Sequence, residues 1–133
     1  MDLISKDELL QVQCPVEDVE LHHPDGRPLG RMRVRGLTGA EVNEWQDAVV
    51  ETVGKKRKQS KHTMAMLIVA SAINPDGTPY FEPREVLRVS QMPGFILTQL
   101  VEPALRLSGL SEEDVEELVE GFDDGPSEDG ISG

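Results

Sequence analysis

A chain of 133 residues with one cysteine fits a single domain with its own core and excludes an intrachain disulfide framework. Its formal net charge of −12 disfavours nucleic acid and favours solubility or a basic partner. With 4% aromatic residues there is little material for lining a substrate pocket.

The charge is unevenly spread. Residues 110–133 hold ten acids (Glu112, Glu113, Asp114, Glu116, Glu117, Glu120, Asp123, Asp124, Glu128 and Asp129) and no Lys or Arg, leaving 15 acids and 13 bases in residues 1–109. A near-neutral body therefore carries an acidic end. The start, "MDLISKDELLQVQ", lacks the basic-then-apolar pattern of a signal peptide. The longest apolar run, at 64–73, is about half of what spans a bilayer. The expectation is a soluble, intracellular protein.

In chain order, residues 1–15 read as a flexible leader with one helical turn at "KDELLQV". Residues 16–36 read as a β-hairpin. Val19 and Leu21 alternate with Asp18 and Glu20, and Met32 and Val34 alternate with arginines, so one face is apolar. The segment "HPDGRP" at 23–28 sits between these runs, and "NPDGTP" at 74–79 repeats its Pro-Asp-Gly-x-Pro core. Asp and Gly suit a turn, and flanking prolines stop regular structure. A duplicated module would preserve the flanks, but the second copy lies between segments that read as helices. An EF-hand register on Gly77 would put Ala72 and Pro83 at positions that need ligands. Two convergent turns are expected. His22, His23 and His62 have no partners at ligand spacing, so no metal site is expected.

Residues 37–122 read as helical, within one domain spanning 16–122. Thr38 and Glu41 have capping-box spacing, and Val42, Trp45, Val49 and Val53 follow at helical intervals. The basic run "KKRK" at 55–58 reads as the end of that helix and a linker, where the macrodipole favours cations. An almost wholly apolar helix over about 61–74 is expected at the centre, with Met64 and Met66 as core packing. A helix follows from Pro83, and another covers "PGFILTQLVEPALRL", which Pro103 is expected to kink or interrupt. In "SEEDVEELVEGF", Val115, Leu118, Val119 and Phe122 form one apolar stripe on an acidic helix. That stripe suits either the chain's own domain or a partner's groove. Residues 123–133 read as a disordered acidic tail. The expected fold class is mainly α, of the α+β type: an amino-terminal β-hairpin followed by a compact bundle of about five helices.

There is no phosphate-cradling glycine loop and no nucleophile elbow, and Cys14 sits beside Pro15 without an orienting histidine. The reading is non-enzymatic, with no catalytic residue, cofactor or metal. Candidate partner contacts are Trp45 and Val49 on the first long helix, and Val115, Leu118, Val119 and Phe122 on the last.

Three short motifs occur in a fixed order: "GLTGAE" at 36–41, "DGTPYF" at 76–81 and "LSGLS" at 107–111. In this the chain resembles the tail assembly chaperones of long-tailed bacteriophages and prophages, over about two-thirds of its length. The resemblance implies a helical, non-enzymatic protein of the host cytoplasm, absent from the mature virion. It would keep the tape-measure protein soluble and recruit tail-tube subunits. It also implies a short form that precedes a ribosomal-frameshift extension. Two rival readings are an acidic decoy that presents carboxylates to a DNA-binding enzyme, and a structural adaptor in the phage particle.

Overall fold

The structure, a computed structural model, describes residues 1–53, 56–59, 62–111 and 113. The expected terminal helix and acidic tail, beyond residue 113, lie outside the described residues. A β-hairpin near the amino terminus is followed by helices, as the fold class requires. The elements run α1 (Lys6–Leu10), β1 (Val16–His22), β2 (Pro28–Arg35), α2 (Gly39–Val49), β3 (Val50–Val53), β4 (Lys56–Gln59), α3 (Thr63–Ser71), β5 (Ala72–Ile73), a 3-10 turn (Pro83–Glu85), α4 (Val86–Ser90) and α5 (Gly94–Leu107).

α1 is held by local chemistry alone. Ser5 Oγ accepts from the Glu8 N–H, and the Glu8 carboxylate accepts from the Ser5 N–H. It buries no residue, and Leu3, Leu9, Leu10 and Val12 stand in solvent.

β1 and β2 form the predicted antiparallel hairpin, with Val19 opposite Met32 and Asp18 opposite Arg33. Period-two alternation puts Val19, Leu21 and Val34 on the buried face, over which α5 packs. Gln99 fastens the far end: its Oε1 accepts from the His22 N–H at 2.8 Å, and its Nε2 donates to the His22 carbonyl at 2.9 Å. This side-chain amide occupies backbone groups that a strand edge would otherwise leave open.

The two Pro-Asp-Gly turns are one structure made twice. In the first, the Gly26 N–H donates to the His23 carbonyl at 2.9 Å and the His23 N–H to the Arg27 carbonyl at 2.9 Å. In the second, the Gly77 N–H donates to the Asn74 carbonyl at 2.9 Å and the Asn74 N–H to the Thr78 carbonyl at 2.8 Å. Each Asp accepts from the N–H two residues on, and Gly26 and Gly77 hold φ of 92° and 90°. That left-handed position is why glycine follows aspartate in both. The flanks correct the sequence reading. The second turn joins β5 to an isolated bridge, Ile73 to Pro79, so it too closes a hairpin rather than linking helices. β5 adds antiparallel to β2 through Arg33–Ile73 and Val34–Ala72, giving the sheet order β1-β2-β5.

α3 is the central element, in contact with α2, α4 and α5, with Ala65, Leu67, Ile68 and Ser71 buried. Ser71 Oγ donates to the Leu67 carbonyl, which satisfies the one buried polar side chain among the described residues. Met66 packs against the core as expected, whereas Met64 is exposed.

Two further expectations are corrected. The first long helix stops at Val49, and the chain then forms the β3–β4 ribbon, pairing Val50 with Gln59 and Val53 with Lys56. Part of the basic run therefore lies in a strand rather than in a helix end and linker. The cause is legible: Val49, Val50, Thr52 and Val53 are β-branched, and four in five residues favour an extended chain. Pro103 does not interrupt α5, which runs through it from Gly94 to Leu107. Its ring removes one backbone bond at about 3 kcal/mol. Ile96, Leu97, Leu100 and Leu105 are buried along the same helix, each contributing roughly 1.5–3 kcal/mol, so burial outweighs the lost bond.

Candidate partner surface

Two of the three motifs of the resemblance meet at one junction. The strand-to-helix corner at 36–38 lies against the end of α5. The Leu37 N–H donates to Ser108 Oγ at 2.9 Å, and that hydroxyl donates on to the Ala104 carbonyl at 2.7 Å. Gly36 is buried with its N–H donating to the Pro15 carbonyl at 2.9 Å, and its α-carbon faces the Leu107 carbonyl. Gly109, at φ 79°, ends α5 by a Schellman motif. The Leu110 N–H donates to the Leu105 carbonyl at 2.8 Å and the Gly109 N–H to the Arg106 carbonyl at 3.1 Å. "GLTGAE" and "LSGLS" are thus joined in the fold, the first through its Leu37 N–H and the second through its Ser108 hydroxyl.

The capping box at Thr38 and Glu41 forms as expected, and Glu41 does more than cap. Its carboxylate accepts from the Thr38 N–H at 2.9 Å and takes a two-pronged bond from Arg35 at 2.7 and 2.6 Å. The Arg35 hydrogen bond, helped by Thr38 and opposed by burial, holds the Glu41 carboxyl at about 2. The folded-state value lies below the unfolded one. The stabilisation is therefore complete above about pH 4.5 and is lost as pH falls toward 2. Glu41→Gln is expected to cost about 1–2 kcal/mol at pH 7, less than the shift alone implies because the side chain is one-third exposed. Denaturant midpoints of the two proteins should differ at pH 7, draw together as pH falls from about 4.5 and converge only below about pH 2. A gap that stays constant with pH would show that the carboxylate charge contributes nothing.

The structure sorts the predicted contact residues differently from the sequence. Trp45 is 5% exposed and Val49 fully buried, so both lie in the core of the folded chain. The Trp45 indole N–H donates to the Thr63 carbonyl at 3.2 Å, tying α2 to the start of α3. Trp45 and Val49 face α3, against which α2 packs, while Val53 lies beyond the helix in β3. Val115, Leu118, Val119 and Phe122 lie outside the described residues.

Sequence reasoning missed the outer face of the sheet. Val16, Asp18 and Glu20 on β1 share this face with Arg31, Arg33 and Arg35 on β2, through the pairs Val16–Arg35, Asp18–Arg33 and Glu20–Arg31. Arg33 is committed: it bonds the Asp18 carboxylate at 2.7 and 3.2 Å and donates to the Pro75 carbonyl at 3.3 Å. That bond pulls the Asp18 carboxyl below its usual value. The Arg31 side chain has no hydrogen bond or ion pair with the described residues, but its charge adds to the lowering of the Asp18 carboxyl. β5 ends after two residues, and the step it leaves beside β2 is a cleft of about 230 Å³ lined by Asp18, Arg31, Met32, Arg33, Ile73, Pro75 and Tyr80. The signal was in the sequence, since Arg31, Arg33 and Arg35 recur at period two. It went unused because the arginines read only as the polar face of a hairpin.

Among the described residues no three His, Cys, Asp or Glu side chains gather at metal-binding distance, and no helix is long and apolar enough to cross a membrane. Compared with models of protein families, with curated proteins and with solved structures, the chain matches none.

Proposed function

We propose that this protein is a non-enzymatic phage tail assembly chaperone. It binds the tape-measure protein and recruits tail-tube subunits in the host cytoplasm, and it is left out of the finished particle. The supporting observation is the junction just described. Two of the three motifs behind the resemblance interlock through Gly36, Leu37, Leu107 and Ser108, while the third forms the turn beside β5 and places Phe81 against the core. Short motifs that would each be weak alone become the parts that define one fold. An assembly factor of this kind works through surfaces rather than a catalytic cleft, and exposed apolar residues on α1 and on the outer sheet face supply such surfaces.

The test is recovery through an amino-terminal tag from the native locus, followed by mass spectrometry. The expected catch is a very long helical protein, a tail-tube subunit and a carboxyl-extended form of the bait. A host DNA-binding enzyme released by moderate salt would replace this reading with the decoy, since counterion release governs such a complex. Finding the protein in purified particles would replace it with the structural adaptor.

A further inference from the structure

β1 is an edge of the sheet, whose strand order is β1-β2-β5. The register fixes which backbone groups that edge presents. The Gly36 N–H donates to the Pro15 carbonyl, one step beyond the Val16–Arg35 pair. Glu17, Val19 and Leu21 therefore turn their N–H and C=O toward β2, and Val16, Asp18 and Glu20 turn theirs outward. β5 gives the same parity from the other side. Ala72 and Asn74 bond Tyr80 and Thr78, which leaves Ile73 facing Arg33, so Arg33 cannot also face its β1 neighbour Asp18.

Both ends of the edge are closed. Pro15 has no N–H to offer, and at His22 the Gln99 amide takes the N–H and the C=O together, as a neighbouring strand would. Between these ends, nothing among the described residues bonds the outward N–H and C=O groups of Val16, Asp18 and Glu20. The side chains beside them are open as well, with Val16 51% exposed and the Glu20 side chain 72%.

We propose that this edge takes a basic, extended segment of a partner protein as an added antiparallel strand, with Lys or Arg side chains opposite Asp18 and Glu20. Strand addition supplies main-chain bonds from the edge and selectivity from alternate side chains.

Charge selects this occupant over a second copy. β1 carries Glu17, Asp18 and Glu20 and no Lys or Arg. Two such edges aligned over their open length would set Asp18 of each copy against the other's, and like charges directly opposite are destabilising. A basic strand reverses the sign, and the chain's net charge of −12 draws it in. Opposed side chains of a hydrogen-bonded antiparallel pair share one face of the sheet. The residues that bond Asp18 and Glu20 through their backbone therefore also lie beside the two carboxylates. Asp18 already holds Arg33, whereas Glu20 has only His22, at 4.0 Å, so Glu20 is the main anchor. Glu17 points to the other face and is taken by Arg106. The inference does not rest on the chaperone reading.

The test uses the isotope-labelled full chain and a capped synthetic peptide of alternating lysine and valine. Salt at about 0.15 M screens loose attraction to the acidic chain. Amide exchange read residue by residue by NMR should slow about tenfold at Asp18 and Glu20. It should not change at Val19 and Leu21, whose N–H groups already bond β2. Methylating the backbone nitrogens of the peptide's lysines, which keeps its charge, should abolish the effect. Methylating those of its valines, which point away from β1, should not. Glu20→Lys should weaken binding about tenfold and leave Trp45 fluorescence unchanged. Binding that survives methylation of the lysine backbone overturns the proposal, because charge alone then holds the peptide. Absence of binding at about 1 mM peptide also overturns it, and leaves the β1 acids as guards against aggregation. Slowed exchange at Asp18 and Glu20 without peptide, growing with protein concentration, overturns it too and assigns the edge to a second copy.

Discussion

Gly36→Ala is expected to lower stability by about 3 kcal/mol, near the top of the range for overpacking a buried site. A β-carbon there would overlap the Leu107 carbonyl oxygen, with the carbonyl carbon at 2.7 Å and Pro15 Cδ at 3.3 Å. The first two atoms are backbone at the capped end of α5, where Ser108 and Gly109 fix the chain, so neither can give way cheaply. Relief would separate the 36–38 corner from α5 and break the Leu37–Ser108 bond. For a domain of this size the melting temperature should fall by roughly 10 °C. Gly39→Ala is the matched control. Nothing lies within 4 Å of a β-carbon there, and the position opens α2, so alanine should be neutral or stabilise by up to about 1 kcal/mol. Equal melting temperatures for Gly36→Ala and the parent would mean that the junction is looser than its geometry.

What the sequence discloses follows from how local each determinant is. The first hairpin was legible because alternation over 16–22 and 28–35 combines with a turn whose residues have one good geometry. The capping box at Thr38 was legible for the same reason: two residues, Thr38 and Glu41, decide it. The second hairpin was hidden. β5 is two residues long, below any detectable period, and it exists because β2 offers Arg33 and Val34 as partners. The end of α2 was misread because Val49 and Val53 fall four apart, a helical spacing that a β-branched run can imitate by chance. Pro103 was read by its local cost alone, whereas the burial that offsets it is contributed by helices distant in sequence. The candidate site suffered most. A stripe announces that something covers it, and only tertiary structure says what. Trp45 and Val49 are covered by the chain itself, while the outer sheet face needs the strand register to be seen at all.

Trp45 is where that distinction has its largest measurable consequence. Trp45→Ala should cost about 3–5 kcal/mol, the range for emptying a large buried aromatic site. Little of that can be recovered by collapse, because Val49 on the same helix is already fully buried. Trp45→Phe keeps most of the packing and loses the bond to the Thr63 carbonyl, for about 1 kcal/mol. The chain has one tryptophan, so its emission should be blue-shifted when folded and move to the red in a single transition with denaturant. Partner capture separates a core residue from a contact residue. Trp45→Phe, folded at working temperature, should recover the same proteins in the same amounts as the parent. Loss of capture in a protein that still unfolds cooperatively would mean that α2 opens to its partner, and that the burial of Trp45 describes only the unbound state.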